Sequence, residues 1–121
     1  MALQSHEELL VWQKAMDLVV EIYSLTKQLP KDELYGLVSQ IRRAAVSIPS
    51  NIAEGYSRNS TREYIHFLHI ARGSKAEIET QIKICERLGY ISNDQTTVAH
   101  NIITEVGKML NSMIKKLSPK S

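Results

Sequence analysis

With a single cysteine, Cys85, the chain can form no intrachain disulfide, so packing alone must hold it folded. Three prolines and five glycines are too few to punctuate the many short turns of a sandwich or barrel, which leaves a helical class. A strong excess of one charge is missing as well. Fifteen Lys and Arg face thirteen Asp and Glu, a net charge of +2 that gives no general pull on nucleic acid and leaves only a clustered patch to supply one. The opening MALQSHEELL has neither a basic start nor an uninterrupted apolar run, which reads as a reducing, cytoplasmic protein without a membrane span. Glycine-rich phosphate loops and nucleophile motifs are absent too, so neither an enzyme nor a cofactor is expected.

What is present suits one domain over residues 1–121, a length that buries roughly two-thirds of its unfolded surface. Helical periodicity and capping signals place four helices at about 6–28, 33–57, 61–88 and 93–117. Ser5 with Glu8, Ser60 with Glu63 and Ser92 with Gln95 each have the spacing of a capping box. Asp32 suits the start of the second helix, and Gly89 suits the left-handed end of the third. Apolar positions Leu9, Trp12, Ala15, Met16, Val19, Ile22 and Tyr23 form the stripe of an amphipathic first helix. Short loops between long helices predict an all-α, up-and-down antiparallel four-helix bundle, with the second helix kinked at Pro49. The tail from Ser118 to Ser121 reads as frayed.

The second helix is unusual in having almost no charged flank. At about 100° per residue, Gln40, Arg43, Ser47, Asn51 and Glu54 fall on one polar line beside an apolar face. A third line holds Ser39, Val46, Ser50, Ala53 and Ser57, small except for the valine. Small residues admit a second backbone, so this line predicts a contact between copies of the chain. Arg43 and Glu54 lie about 16 Å apart along the axis and cannot pair with each other, so they require Glu77, Glu79, another helix or another subunit. The polar line therefore reads either as a structural hydrogen-bond network that includes Glu77 or as a ligand site.

The basic residues concentrate in the middle of the chain. Residues 37–75 carry six basic and two acidic side chains, against three and six in residues 1–36 and six and five in residues 76–121. On the third helix Arg62, His69, Arg72, Lys83 and Arg87 share an outward sector bordered by Lys75, with Arg42 and Arg58 extending the set. Such a stripe is either a solvated face or a surface for phosphates, which call for several cations along one face. Glu63-x-x-His66 has the spacing of carboxylate-bridged metal centres in bundles, but those use two such motifs, and a single copy reads as a rim hydrogen bond. Cys85 aligns with Ala71, Ile78 and Ile82, which makes it a core residue.

Several runs together carry a resemblance: Leu10-Val11-Trp12-Gln13-Lys14-Ala15, Pro30 with Glu33, Tyr35-Gly36-Leu37, Gln40-Ile41-Arg42-Arg43-Ala44, Ser47-Ile48-Pro49, Asn51-Ile52-Ala53-Glu54-Gly55 and Ala71-x-Gly73-Ser74. From about residue 7 to 117 the chain resembles the 23S rRNA intervening-sequence protein family, whose members are often called four helix bundle proteins. The resemblance implies a bacterial up-and-down bundle assembled as a homopentamer. It also implies a relation to retroelement accessory variability proteins, which engage nucleic acid and reverse transcriptase through a basic surface. The expectation is thus a non-enzymatic homo-oligomer that binds RNA or DNA through exposed arginines and lysines. Its rival is a protein-interaction scaffold, and a third reading is a small-ligand or metal site at Glu63 and His66.

Overall fold

The computed structural model describes residues 5–119 and contains four α-helices, α1 Leu10–Thr26, α2 Ser39–Tyr56, α3 Thr61–Arg87 and α4 Thr97–Leu117, with no strand among the described residues. Of the tail expected to fray, Lys120 and Ser121 lie outside the described residues.

The first helix starts later than its capping pattern predicts. Ser5 Oγ accepts the Glu7 N–H at 3.2 Å, but this caps a single 3₁₀ turn, His6–Glu8. Leu9 then runs extended, with ψ 127°, and packs on the core, so α1 opens at Leu10. Its buried stripe is Val11, Ala15, Leu18, Ile22 and Leu25, rotated from the predicted one so that Met16 and Tyr23 emerge at the surface. Apolar residues surround most of this helix, which is why periodicity alone misplaces the stripe.

Between α1 and α2 the chain makes a 3₁₀ turn, Lys31–Glu33, and a wide π-type turn, Leu34–Val38. The helical path breaks at Gly36 (φ −110°, ψ −109°), and Glu33, rather than Asp32, supplies the cap by accepting the Leu37 N–H at 3.4 Å. Helix α2 carries on through Pro49, which is buried. A capping box does start α3, with Ser60 Oγ accepting the Glu63 N–H at 3.1 Å, and Gly89 ends the run at φ 76°. The Ser92 and Gln95 pair also forms, with each backbone N–H bound to the other's side chain at 2.9 and 3.3 Å, yet it caps a turn and α4 begins at Thr97.

Each helix packs on its sequence neighbours, and α4 closes back on α1. Paired residues run in opposite order along adjacent helices. Ser47 meets Ser74 and Tyr56 meets Tyr64 across α2 and α3, while Arg72 meets Asn111 and Glu86 meets His100 across α3 and α4. Gln28 meets Gln95 and Lys14 meets Glu105 where α4 returns to α1. The core is aliphatic, centred on Leu18, Ile48, Ile52, Leu68, Ile78 and Leu110, all fully buried. At about 25 cal/mol per Å² of apolar area, burying each such side chain contributes roughly 1.5–3 kcal/mol. The α2–α3 contact is especially close, because a Cβ on Gly55 would stand 2.8 Å from Phe67 Cβ and 3.2 Å from the Tyr64 carbonyl oxygen.

Candidate functional site

Many of the residues singled out from the sequence lie on α3 or on the face of α2 beside it. Setting α3 by its partners places Lys75 against Gly107 and Glu86 against His100 on the α4 side, and Ser74 against Ser47 on the α2 side. Between these seams the outer surface of α3 mixes charged and small residues, with Arg62, His69, Ala76 and Lys83 on one line at seven-residue steps and Gly73, Thr80 and Arg87 on the next.

On the α4 side the acids are already engaged. Glu79 Oε1 accepts from Lys75 Nζ at 2.8 Å, and Glu86 Oε2 accepts from Thr96 Oγ1 at 2.5 Å and meets His100 Nε2 at 3.1 Å. Burial opposes ionisation of Glu86, but the hydrogen bonds from Thr96 and His100, with the charges of His100 and Lys83, outweigh it and hold the carboxyl below its usual range. The cations on and beside this flank fall into two groups. Arg72 donates to Asn111 Oδ1 at 3.2 Å and contacts His69 Nδ1 at 2.9 Å, so Arg72, His69 and Lys75 are held within the protein. Arg62, Lys83 and Arg87 are exposed, with no hydrogen bond or short ion pair among the described residues. The Arg72–Asn111 contact also fixes the face that α4 presents here. Lys108 and Lys115, three residues before and four after Asn111, flank it on that face, and both are exposed. Sequence reasoning missed them as members of the basic surface, because only the tertiary pairing shows that they adjoin α3.

Arg42 and Arg58 lie elsewhere. Arg42 donates to Thr26 Oγ1 at 2.8 Å and to the Tyr23 carbonyl at 3.4 Å, with its guanidinium 4.5 Å from the Tyr23 ring centre, so it ties α2 to α1. Arg58 pairs with Glu54 at 3.1 Å and lies over Phe67.

On the α2 side the polar line splits. Its inner part is satisfied: Ser74 Oγ donates to Ser47 Oγ at 2.8 Å, and Asn51 Nδ2 donates to the Ser47 carbonyl and hydroxyl at 2.8 and 2.9 Å. Glu54 points to Arg58 and takes no part in this network. Its outer part, Gln40, Arg43 and Glu77, lines a cleft of about 280 Å³ floored by Ala44, Ser47 and Ser74. Arg43 and Glu77 are exposed and bonded to nothing among the described residues. An adjoining cleft of about 470 Å³ runs past Gly73, Ala76, Thr80 and Ile84 to Gln81. In the predicted contact line Val46, Ser50 and Ser57 are exposed and Ser39 and Ala53 half-buried, so none of the five is enclosed within a single chain.

The remaining candidates are quiet. Glu63 is bound to Ser60, and His66 is exposed with its ring edge against Phe67. Among the described residues no three His, Cys, Asp or Glu side chains gather as a metal site. Burial, then the nearby Glu33 and Glu86, push the Cys85 thiol up to about 11, which leaves a protonated core side chain. Among the described residues no helix is long and apolar enough to cross a membrane.

Comparison with known proteins agrees with this architecture. The family model described as 23S rRNA-intervening sequence protein matches residues 7–112. A crystal structure of a protein of unknown function from the S23 ribosomal protein family, from Bacteroides thetaiotaomicron VPI-5482, matches with a TM-score of 0.81 at 32% identity, covering 88% of this chain and 99% of that one. Comparison with curated proteins gives no match.

Proposed function

This chain belongs to the 23S rRNA-intervening sequence protein family, and on that footing we propose that it is a non-enzymatic, cytoplasmic homo-oligomer, pentameric by family resemblance, that binds structured RNA through the α3–α4 flank. One observation carries the reading. Lys83, Lys108 and Lys115 stand exposed on a flank whose carboxylates Glu79 and Glu86 are already bound, and Arg62 and Arg87 stand exposed on the outward lines of α3 beside it, none of the five in a hydrogen bond or short ion pair among the described residues. Exposed cations outside any short ion pair remain open to phosphates, and each phosphate neutralised releases counterions. A single copy offers a thin row of such cations. Repetition of the row in an assembly raises overall affinity without any new kind of interaction.

The test is a titration with structured rRNA fragments across a salt series. Binding at low salt is expected, weakening steeply as salt rises. The combined Arg62→Ala, Lys83→Ala, Arg87→Ala and Lys108→Ala variant is expected to bind about a hundredfold or more weakly and to flatten the salt slope by up to about 0.7–0.9 for each phosphate left unneutralised. No association at low salt, or full affinity in the variant, contradicts the proposal.

A protein-interaction scaffold is favoured by a different observation. Leu10, Met16, Val20 and Tyr23 leave an apolar outer side on α1, with Val20 70% exposed. A protein partner that stays bound after nuclease treatment, together with no RNA binding, selects that reading.

A further inference from the structure

The α2–α3 cleft holds three polar groups with nothing to bond. Arg43 on α2 and Glu77 on α3 carry opposite charges and line the same cleft, yet make no ion pair with each other or with any other described residue. Gln81, one turn beyond Glu77, is only 9% exposed, and its Oε1 is buried without a donor. A buried amide oxygen lacking a partner is costly and rarely tolerated, and Gln81 lines the adjoining cleft, so a small movement of its side chain brings the oxygen to a donor arriving there. The cleft walls fit a close-packed protein partner better than water. Gly73 and Ala76 keep the α3 wall low, while Ile84, 41% exposed, adds apolar surface to it.

The geometry points to a second copy of this chain as the occupant, with Arg43 of one copy donating to Glu77 and to Gln81 Oε1 of the other. This rests on the oligomeric part of the proposed function and names the contact that completes it. The chain itself supplies the complementarity. It carries an unpaired guanidinium with several donors in a rigid fork, and it carries an unpaired carboxylate and amide oxygen able to take them. A copy-to-copy pairing satisfies all three groups at once, whereas pairing of Arg43 with Glu77 inside one exposed cleft gains little and leaves Gln81 unsatisfied.

The experiment is sedimentation equilibrium of nuclease-treated protein, wild type against Arg43→Glu, Glu77→Arg and the two variants mixed. Wild type is expected as a multiple of 13.7 kDa. Each variant alone sets like charges against each other across the contact, and its association constant is expected to fall by about tenfold or more. Mixing the two restores opposite charges wherever unlike variants meet, at every contact but one in a five-membered ring, and is expected to recover most of the association, which a merely misfolded variant does not do. Helicity and melting of each variant, measured in parallel, establish that the protomer is intact. Gln81→Leu removes the orphan oxygen and is expected to weaken association without lowering the protomer's melting temperature. A wild-type protein that stays at 13.7 kDa overturns the oligomeric reading itself. A wild-type multimer whose mass survives both charge reversals overturns only this contact and moves the assembly to another surface. A cleft filled by some other protein gives that second result together with a co-purifying partner whose binding is abolished in Arg43→Glu.

Discussion

The two outer flanks of α3 are built from one helix and reach opposite ends of surface chemistry. Toward α4 it offers Arg72, Lys75, Glu79 and Glu86, with Arg62 and Lys83 on the line outside them, and toward α2 it offers Gly73, Glu77, Gln81 and Ile84. The first flank is charged, with its acids bound and Lys83 exposed. The second is low, partly apolar and has a buried oxygen with no donor. Long cationic side chains remain comfortable in water, so the α4 flank is stable as it stands and ready for a soluble polyanion. Small residues around an orphan amide gain only when another surface covers them. On the proposed reading one helix serves two partners, because successive residues step about 100° around its axis.

Breaking the seam beneath the α2 flank should have the largest effect on the fold. Gly55→Leu forces a side chain into space held by Phe67 Cβ and Tyr64, and is expected to lower protomer stability by about 1–3 kcal/mol. Chemical denaturation measures this directly, and an unchanged midpoint means that the close approach of α2 and α3 is not needed.

The seam beneath the α4 flank should break more gently. Glu86→Gln keeps a hydrogen-bonding group but gives up the charge held by Thr96 and His100, and stability is expected to fall by about 1 kcal/mol at neutral pH. Because folding lowers the Glu86 pKa from its ordinary 4.5, its contribution is complete above that pH and fades as pH falls through the lower folded value. The difference in stability between wild type and Glu86→Gln should therefore narrow below about pH 4.5. A gap that stays constant down to the acid transition counts against the ionised network.

Smallest of all for the protomer is Ser50→Trp, at an exposed position on α2. Its stability should stay within about 0.5 kcal/mol of wild type, while the mass in solution drops if this line meets another copy. Unchanged mass removes Ser50 from the contact surface.

Much of this fold was legible in the sequence because its signals are local. The Ser60 and Glu63 cap, the Gly89 terminator and the core position of Cys85 follow from spacing along one helix, and the structure places them so. The start of α1 was not legible, since Ser5 spends its hydroxyl on a 3₁₀ turn and Leu9 runs extended before the helix begins. The division of the cations was hidden for a different reason. Arg42 is captured by Tyr23 and Thr26, and Arg72 by Asn111, partners far off in sequence. Lys108 and Lys115 join the basic flank only because that last pairing turns their face toward α3. A helical wheel shows which residues share a side, but which charges remain free is decided by the neighbouring helix.

The division between the two flanks is tested most directly by the mass of the nuclease-treated wild-type protein in dilute solution. A stable multiple of 13.7 kDa that persists without nucleic acid is the expected result, because on the proposed reading the α2 flank is covered by another copy and the α4 flank does not contribute to that cover. A well-folded species of 13.7 kDa at every concentration would contradict the account.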